Sequence, residues 1–525
     1  MSPRERRDER ASELRPLEFL RWAWRQLTSM RTALLLLLLL AVAAVPGSFI
    51  PQRGVDASAV TRYYIEHPDL APVLEKLGMF SVFSSVWFSA IYLLLMVSLI
   101  GCILPRTKVY AKALRTRPPR APRNFSRLPA SAEFETDASV SDVLAAGRKA
   151  LGRARVDVVE DGDSGELRAE KGYLRELGNL VFHICILIAL VGVAIGSLWG
   201  YRGNVVITEG EGFSNTLSQY DEFSSGSLFN ADTDLEPWSL ELDDVLTRFY
   251  VEGNNRGAPR LFRVTGTYSE GGKDRGDYSI EVNHPLSIGG EDVFLVGQGY
   301  APVLRITDSS GKVAFDGPVP FLPSDATYTS TGVVKVPDAD GDQLGFQGFF
   351  LPTAFSADPD EPSVSVFPGA LNPRIGMNLW TGDLGLDDGT AQSVYSLDTS
   401  KMTQVKDGDG NFRIDLGPGE SQKLPGGGSI EFVELRQFAR LQIGHTPVVW
   451  LPLFGVGLGI VGLSGSLLVR PRRTWIRARR DGSRTVVEVA ALDRVPRDDL
   501  PADLDEFLAR FRAGLDDSTE SRERT

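Results

Sequence analysis

The chain has 525 residues, a formal net charge of −12, 42% hydrophobic residues and two cysteines, Cys102 and Cys185. That length points to more than one folded unit. Both cysteines lie inside apolar runs, which excludes Cys-x-x-Cys dithiol chemistry, a disulfide framework in the hydrophilic parts and a multi-cysteine zinc site.

Residues 1–31 form a basic-ended leading segment with Arg21, Arg25 and Arg31, and with Trp22 and Trp24 at interface depth. The first apolar run follows at 32–50, with leucine at every position from 34 to 40. Further runs cover 86–104, 177–199 and 448–469, and none of the four contains an acid, a lysine or an arginine. At about 1.5 Å per residue, each is long enough to cross a hydrocarbon core of about 30 Å. A basic leader, a leucine core and Ala41-Val42-Ala43 also fit a secretory signal with its cleavage site. That alternative would leave three spans; the apolar continuation through Ile50 favours a retained helix.

Charge is sorted by sign between the runs. Basic residues precede the first run, follow the second from Arg106 to Arg127, and follow the fourth from Arg470 to Arg480. Residues 201–445 hold 36 acids against 17 bases, a net of −19. The positive-inside rule then places both termini and the middle loop in the cytoplasm and the acidic segment outside, in a cell membrane crossed several times.

The hydrophilic segments read as follows. Residues 51–85 are a short outer loop whose 59–77 stretch is amphipathic, lying on the membrane surface or packed on the main outer domain. Residues 105–176 open with a proline- and arginine-rich linker at 115–123, better suited to lipid headgroups than to nucleic acid. A strand at 132–136, a helix at 140–151 with Ser139 as N-cap, and a hairpin of 155–159 with 166–170 follow. Residues 200–447 alternate with a period of two between glycine and aspartate turns, which predicts a β-sandwich or similar sheet-rich domain. Two acidic stretches, 338–342 and 407–411, look like calcium loops but lack the glutamate an EF-hand needs, so acidic hairpin turns are the expectation. No phosphate loop, nucleophile elbow or His-Glu-x-x-His pattern occurs there, so an ordinary hydrolase is unsupported. In 470–525 only a short strand and an acidic helix are expected within 486–512, with 513–525 disordered.

Imidazole chemistry must come from His67, His183, His284 or His445. His183 lies inside the third run, about 9 Å along the helix from the inner boundary. An ionisable residue within the hydrocarbon asks for a function, and a neutral imidazole beside an apolar surface suits haem iron. Gly192, Ala194 and Gly196 on the same helix would admit another helix or a flat ligand. His445, at the outer end of the fourth run, is a weaker candidate; His67 and His284 read as structural.

Together these pieces describe an integral membrane chain of four transmembrane α-helices with a large β-rich extracytoplasmic domain and a small α+β cytoplasmic module. Its order of short motifs resembles the ResB (CcsB) family of cytochrome c biogenesis proteins, of the two-component (system II) pathway. The matching residues are Ser29-Met30-Arg31-Thr32 before the leucines, Phe49-Ile50-Pro51-Gln52, Ser84-Ser85-Val86-Trp87-Phe88 and Cys102. Others are Arg117-Pro118-Pro119-Arg120, residues 178–183, Asn283-His284-Pro285-Leu286 and Arg472-Arg473-Thr474-Trp475. The resemblance implies a CcsA/ResC-type membrane partner carrying a tryptophan-rich haem-handling segment, which this chain lacks. It implies haem b as the molecule transported or bound, apocytochrome c as recipient and thiol-reducing proteins as indirect partners. His183 matches the family's candidate transmembrane haem ligand, so its iron contact is expected through haem; no catalytic residue is expected in this accessory subunit of a haem lyase complex. The alternative is a membrane-anchored apocytochrome-binding or structural subunit with no haem site of its own.

Overall fold

In the computed structural model the described residues are 16–55, 57–172, 175–358, 362–386, 394–408, 410–493 and 498–523. They form two units: one from the start of the chain to Ala194 together with 448–525, the other Ile195–Pro447.

Among the described residues four helices are long and apolar enough to cross a membrane. The first span is Met30–Phe49, capped by Ser29, whose Oγ accepts from the Thr32 N–H at 3.2 Å. The second, Val86–Arg115, runs past the apolar stretch into the basic segment and carries Pro105 within it. The third is Arg175–Trp199 and the fourth Trp450–Leu468. Glycine allows the last two to touch closely. A Cβ on Gly462 would fall 2.9 Å from the Gly178 carbonyl oxygen, one on Gly455 2.8 Å from that of Cys185, and one on Gly192 2.6 Å from Pro452 Cδ. Gly192 therefore receives the fourth span rather than a flat ligand. Such close backbone approach replaces the hydrophobic drive that lipid cannot supply.

The loop after the first span has a small apolar cluster of its own. Helices Ala57–Glu66 and Ala71–Lys76 and the 3₁₀ turn Met79–Ser84 bury Val60, Ala71 and Phe80 together.

The small α+β module is built from two distant stretches of chain. Its antiparallel sheet runs in the order Ala130–Thr136, Arg484–Asp493, Arg472–Asp481, Ser164–Lys171, Arg155–Asp161. The two central strands thus come from the segment after the fourth span. Helix Val140–Ala150, with the expected Ser139 cap, and helix Leu500–Glu523 cover one face around Leu144, Leu167, Ile476 and Phe511. That second helix runs through 513–523, where disorder was expected, and 524–525 lie outside the described residues. Successive side chains of a strand point to opposite faces, so Trp475 and Arg477 turn to the other side. There Trp475 Nε1 donates to the Pro119 carbonyl at 3.0 Å, and the Arg477 guanidinium donates to the Pro122 carbonyl at 2.9 Å and covers the Phe125 ring at 4.5 Å. Part of the proline- and arginine-rich linker is held down by these contacts. Pairing of residues 164–171 with 472–479 also fixes the start of the third span and the end of the fourth at the same end of their helix pair.

The second unit is sheet-rich, as its alternation predicts. Two 17-residue antiparallel strands, Glu291–Thr307 and Ser429–His445, run through it. At one end they contribute Val293, Leu441 and Ile443 to a core with Trp238, Leu240 and Val264; at the other, Leu304, Ile306 and Phe432 join Phe346, Phe350 and Ile375. Their pairing carries register shifts at Leu295/Gly297 and Val303/Leu304. Residues 337–342 connect two paired strands, Ser330–Val336 and Gln343–Leu351, as expected of an acidic hairpin turn. The second acidic stretch pairs Lys406–Asp407 with Gly410–Asn411, and Asp409 lies outside the described residues.

Candidate functional site

A short amphipathic helix, Pro16–Leu27, ends just before the first span, and the last carbonyls of any helix need outside donors. The second span supplies them. Ser98 Oγ donates to the Leu27 carbonyl at 2.6 Å, and the Cys102 thiol lies 3.0 Å from the Thr28 carbonyl oxygen. Gly101 lets the turn approach, because a Cβ there would fall 2.0 Å from Thr28 Cγ2. Small polar residues within an apolar run thus seat the entry to the first span. Tyr92, further along the same helix, donates to the Leu190 carbonyl of the third span.

Between these fixed points the first three spans diverge around a cavity of about 630 Å³. Each helix lines it with one stripe at three- and four-residue spacing, the period that puts side chains on a common face. On the second span the stripe is Leu95, Leu99, Cys102, Arg106 and Tyr110; on the third it is Asn179, His183, Ile186 and Leu190. The first span adds Met30, Ala33, Leu34 and Leu37. The lining is mainly apolar with a few polar groups, and the volume falls within the ~300–1,000 Å³ common for cofactor and small-molecule sites.

His183 is half-buried, and its Nδ1 stands 2.8 Å from the backbone carbonyl oxygen of Asn179. A carbonyl oxygen only accepts, so Nδ1 carries the proton and Nε2 keeps its lone pair. Neutral imidazole in this tautomer is what a metal requires, and a backbone acceptor behind the ring fixes its orientation. The Phe182 ring meets it edge-on, with centroids 5.4 Å apart. A flat, mostly apolar iron macrocycle suits such a lining.

The other histidines lie elsewhere. His445 ends its long strand in the second unit, with Nδ1 3.0 Å from the Gly290 carbonyl oxygen. Next to Gly290, Glu291 is buried and accepts from Trp238 Nε1 at 2.6 Å and Asn215 Nδ2 at 2.9 Å. Burial pushes that carboxyl above its ordinary range, while the Trp238 hydrogen bond pulls part of the way back. His67 meets the Tyr63 ring at a tilt, with centroids 4.6 Å apart, and His284 closes a tight turn beside Asn283, whose φ is +65°. The cavity therefore brings His183 together with Arg106, Tyr110 and Cys102 and leaves out the other three histidines. Cys102 had been noted only as a motif residue and Arg106 only as a topogenic charge. Nothing in the residue pattern alone ties either to His183, because the tie is a contact between helices.

Among known proteins, the sequence profile of the ResB-like family matches residues 30–505. This chain belongs to that family. Similar proteins include three called "Cytochrome c biogenesis protein CcsB". The one from Synechococcus sp. strain JA-3-3Ab is 25% identical over 451 residues, covering 84% of this chain and 80% of the relative. That from Picosynechococcus sp. is 27% identical over 331 residues, 58% of this chain and 67% of the relative. That from Thermosynechococcus vestitus is 27% identical over 284 residues, 53% and 60% respectively. The family match takes in all four spans and the cavity-lining residues from Met30 onward.

Proposed function

We propose that this chain acts in cytochrome c biogenesis. In this reading it receives haem in the cavity between its first three spans and, with a CcsA/ResC-type partner, passes it across the membrane for attachment to apocytochrome c. The observation that carries the reading is the His183 imidazole, with Nδ1 engaged by Asn179 and Nε2 left to bind iron, on the wall of an apolar cavity. The CcsB names of its relatives agree with it.

Orientation follows from charge. The basic clusters after the second and fourth spans stay in the cytoplasm, and the sheet shared by residues 164–171 and 472–479 requires an even number of crossings between them. The domain of 200–447 is then extracytoplasmic, and its excess of acids over bases complements a basic apocytochrome. Haem arriving from the inner leaflet meets His183 in the inner half of the third span. The His183 imidazole would hold the haem iron from this chain, together with a histidine of the partner. The apolar walls take up the macrocycle and keep water away. Release to the partner's outer site requires exchange of these ligands, and the thioether bonds form in the complex rather than on a residue of this chain.

Cells lacking this chain should lose covalently bound haem from their c-type cytochromes, seen by haem staining of denatured proteins, and regain it with the wild-type chain. His183→Ala should accumulate normally in the membrane without restoring the stain. Unimpaired cytochromes in the deletion strain would end the reading. Full rescue by His183→Ala would leave the chain as an apocytochrome-holding subunit with no haem site of its own.

A further inference from the structure

Among the described residues Arg106 is the single charged side chain lining the cavity that holds His183. Among the described residues no carboxylate lies within 4.0 Å of it, and the contact it makes is to the Met30 thioether, Nη2 to Sδ at 3.9 Å. A thioether is a weak acceptor, so most of the donors of the guanidinium fork are left for something else. Pro105 just before it has no N–H, so the Gly101 carbonyl on the same wall lacks its helical donor. The cavity is therefore apolar along most of its length and polar at the end that holds Arg106 and Tyr110.

The spacing along the helices is informative. Tyr92 touches Leu190, so these two residues stand level on the second and third spans. From that level the two helices run antiparallel. Arg106 lies 14 residues along one and His183 seven residues back along the other, or about 21 Å and about 10 Å at 1.5 Å per residue. The Arg106 backbone is thus set about 10 Å beyond that of His183 toward the inner end of the cavity. A flat metal macrocycle ligated at its centre reaches that far with a short acid arm on its rim.

We propose that Arg106 is the anchor for a carboxylate of the porphyrin bound at His183, with the Tyr110 hydroxyl one turn further on as a second donor. This rests on the haem reading above and adds the direction of entry: iron toward His183, acid edge toward the inner end of the second span. Arginine suits the role because its planar fork matches a carboxylate in a bidentate pair, and because it stays charged next to lipid. A lipid phosphate offers the fork a similar anion, so the test must separate the two sources.

The full-length chain in nanodiscs, stripped of haem, is titrated with iron protoporphyrin IX as the free diacid and as its dimethyl ester. The Soret band reports iron ligation, and quenching of protein fluorescence reports binding of the metal-free diacid. The wild type should bind the diacid at least about tenfold more tightly than the ester. Arg106→Gln should lower diacid affinity to that of the ester and leave ester affinity unchanged, and Arg106→Lys should fall between. His183→Ala should abolish the ligated spectrum with both iron porphyrins yet keep the preference for the metal-free diacid over its ester. Equal affinity for diacid and ester in the wild type, or a preference that survives in Arg106→Gln, would overturn the anchor and leave Arg106 to lipid phosphate. No binding of either porphyrin to the wild type would overturn the haem reading together with it.

Discussion

His183 and Asn179 sit one helical turn apart on the third span, and the histidine Nδ1 lies 2.8 Å from the Asn179 carbonyl oxygen. The contact decides which ring nitrogen carries the proton, and with it which nitrogen can bind a metal. It uses a backbone carbonyl, which every residue carries, so no substitution at 179 removes the acceptor itself. The tautomer is fixed by helix geometry rather than by a partner residue.

The close contact between the third and fourth spans should depend on glycine. At Gly462 a Cβ would meet the Gly178 carbonyl oxygen and the Phe182 nitrogen, both at 2.9 Å, and backbone cannot swing aside. Gly462→Val should destabilise the helix pair by about 1–3 kcal/mol, the usual cost of overpacking. Gly457 has open space around it. Gly457→Val should therefore leave the thermal midpoint in detergent nearly unchanged while Gly462→Val lowers it.

The two-part sheet depends on Arg472. Its guanidinium holds Asp493 at 2.7 Å and Asp503 at 2.6 Å, tying a central strand to the helix Leu500–Glu523. The Asp493 side chain is only 5% exposed, so removing its partner leaves a buried, unpaired acid. Arg472→Ala should cost about 2 kcal/mol. Amide exchange should then speed up in residues 472–493 and 500–516, with little change in the strands of the second unit.

Glu291 gives the second unit a defined pH response. Burial raises its folded-state pKa, so the protonated form is favoured by folding. Its contribution is complete below the ordinary glutamate range and is lost as pH rises through the raised value. Between pH 5 and 8 the thermal midpoint of the wild type should fall relative to that of Glu291→Gln. Parallel curves for the two proteins would show that Glu291 does not titrate differently on folding.

Much of this architecture is visible in the residues alone. The four apolar runs, the Ser139 cap, the hairpin around Gly162 and the strand alternation of the large domain each follow from local pattern. What local pattern does not show is long-range pairing. The strands Arg472–Asp481 and Arg484–Asp493 complete a sheet begun some 300 residues earlier, and no residue between them signals it. The candidate site divides in the same way. His183 stands out because an imidazole in hydrocarbon is costly. Arg106 reads only as a topogenic charge until two helices place it on the same cavity wall. Ser98 and Cys102 look like ordinary residues of an apolar run until the carbonyls of Leu27 and Thr28 are found against them. Gly192 allows the close approach of either another helix or a flat ligand, and Pro452 of the fourth span is what fills that space.

The most direct measurement is the absorption spectrum of this chain co-purified with its membrane partner, taken for wild type and His183→Gly with and without added imidazole. Iron ligation by His183 predicts a Soret band in the wild type, its loss in the glycine variant, and its return when free imidazole fills the space left by the side chain. An identical Soret band in both proteins, unaffected by imidazole, would contradict the account.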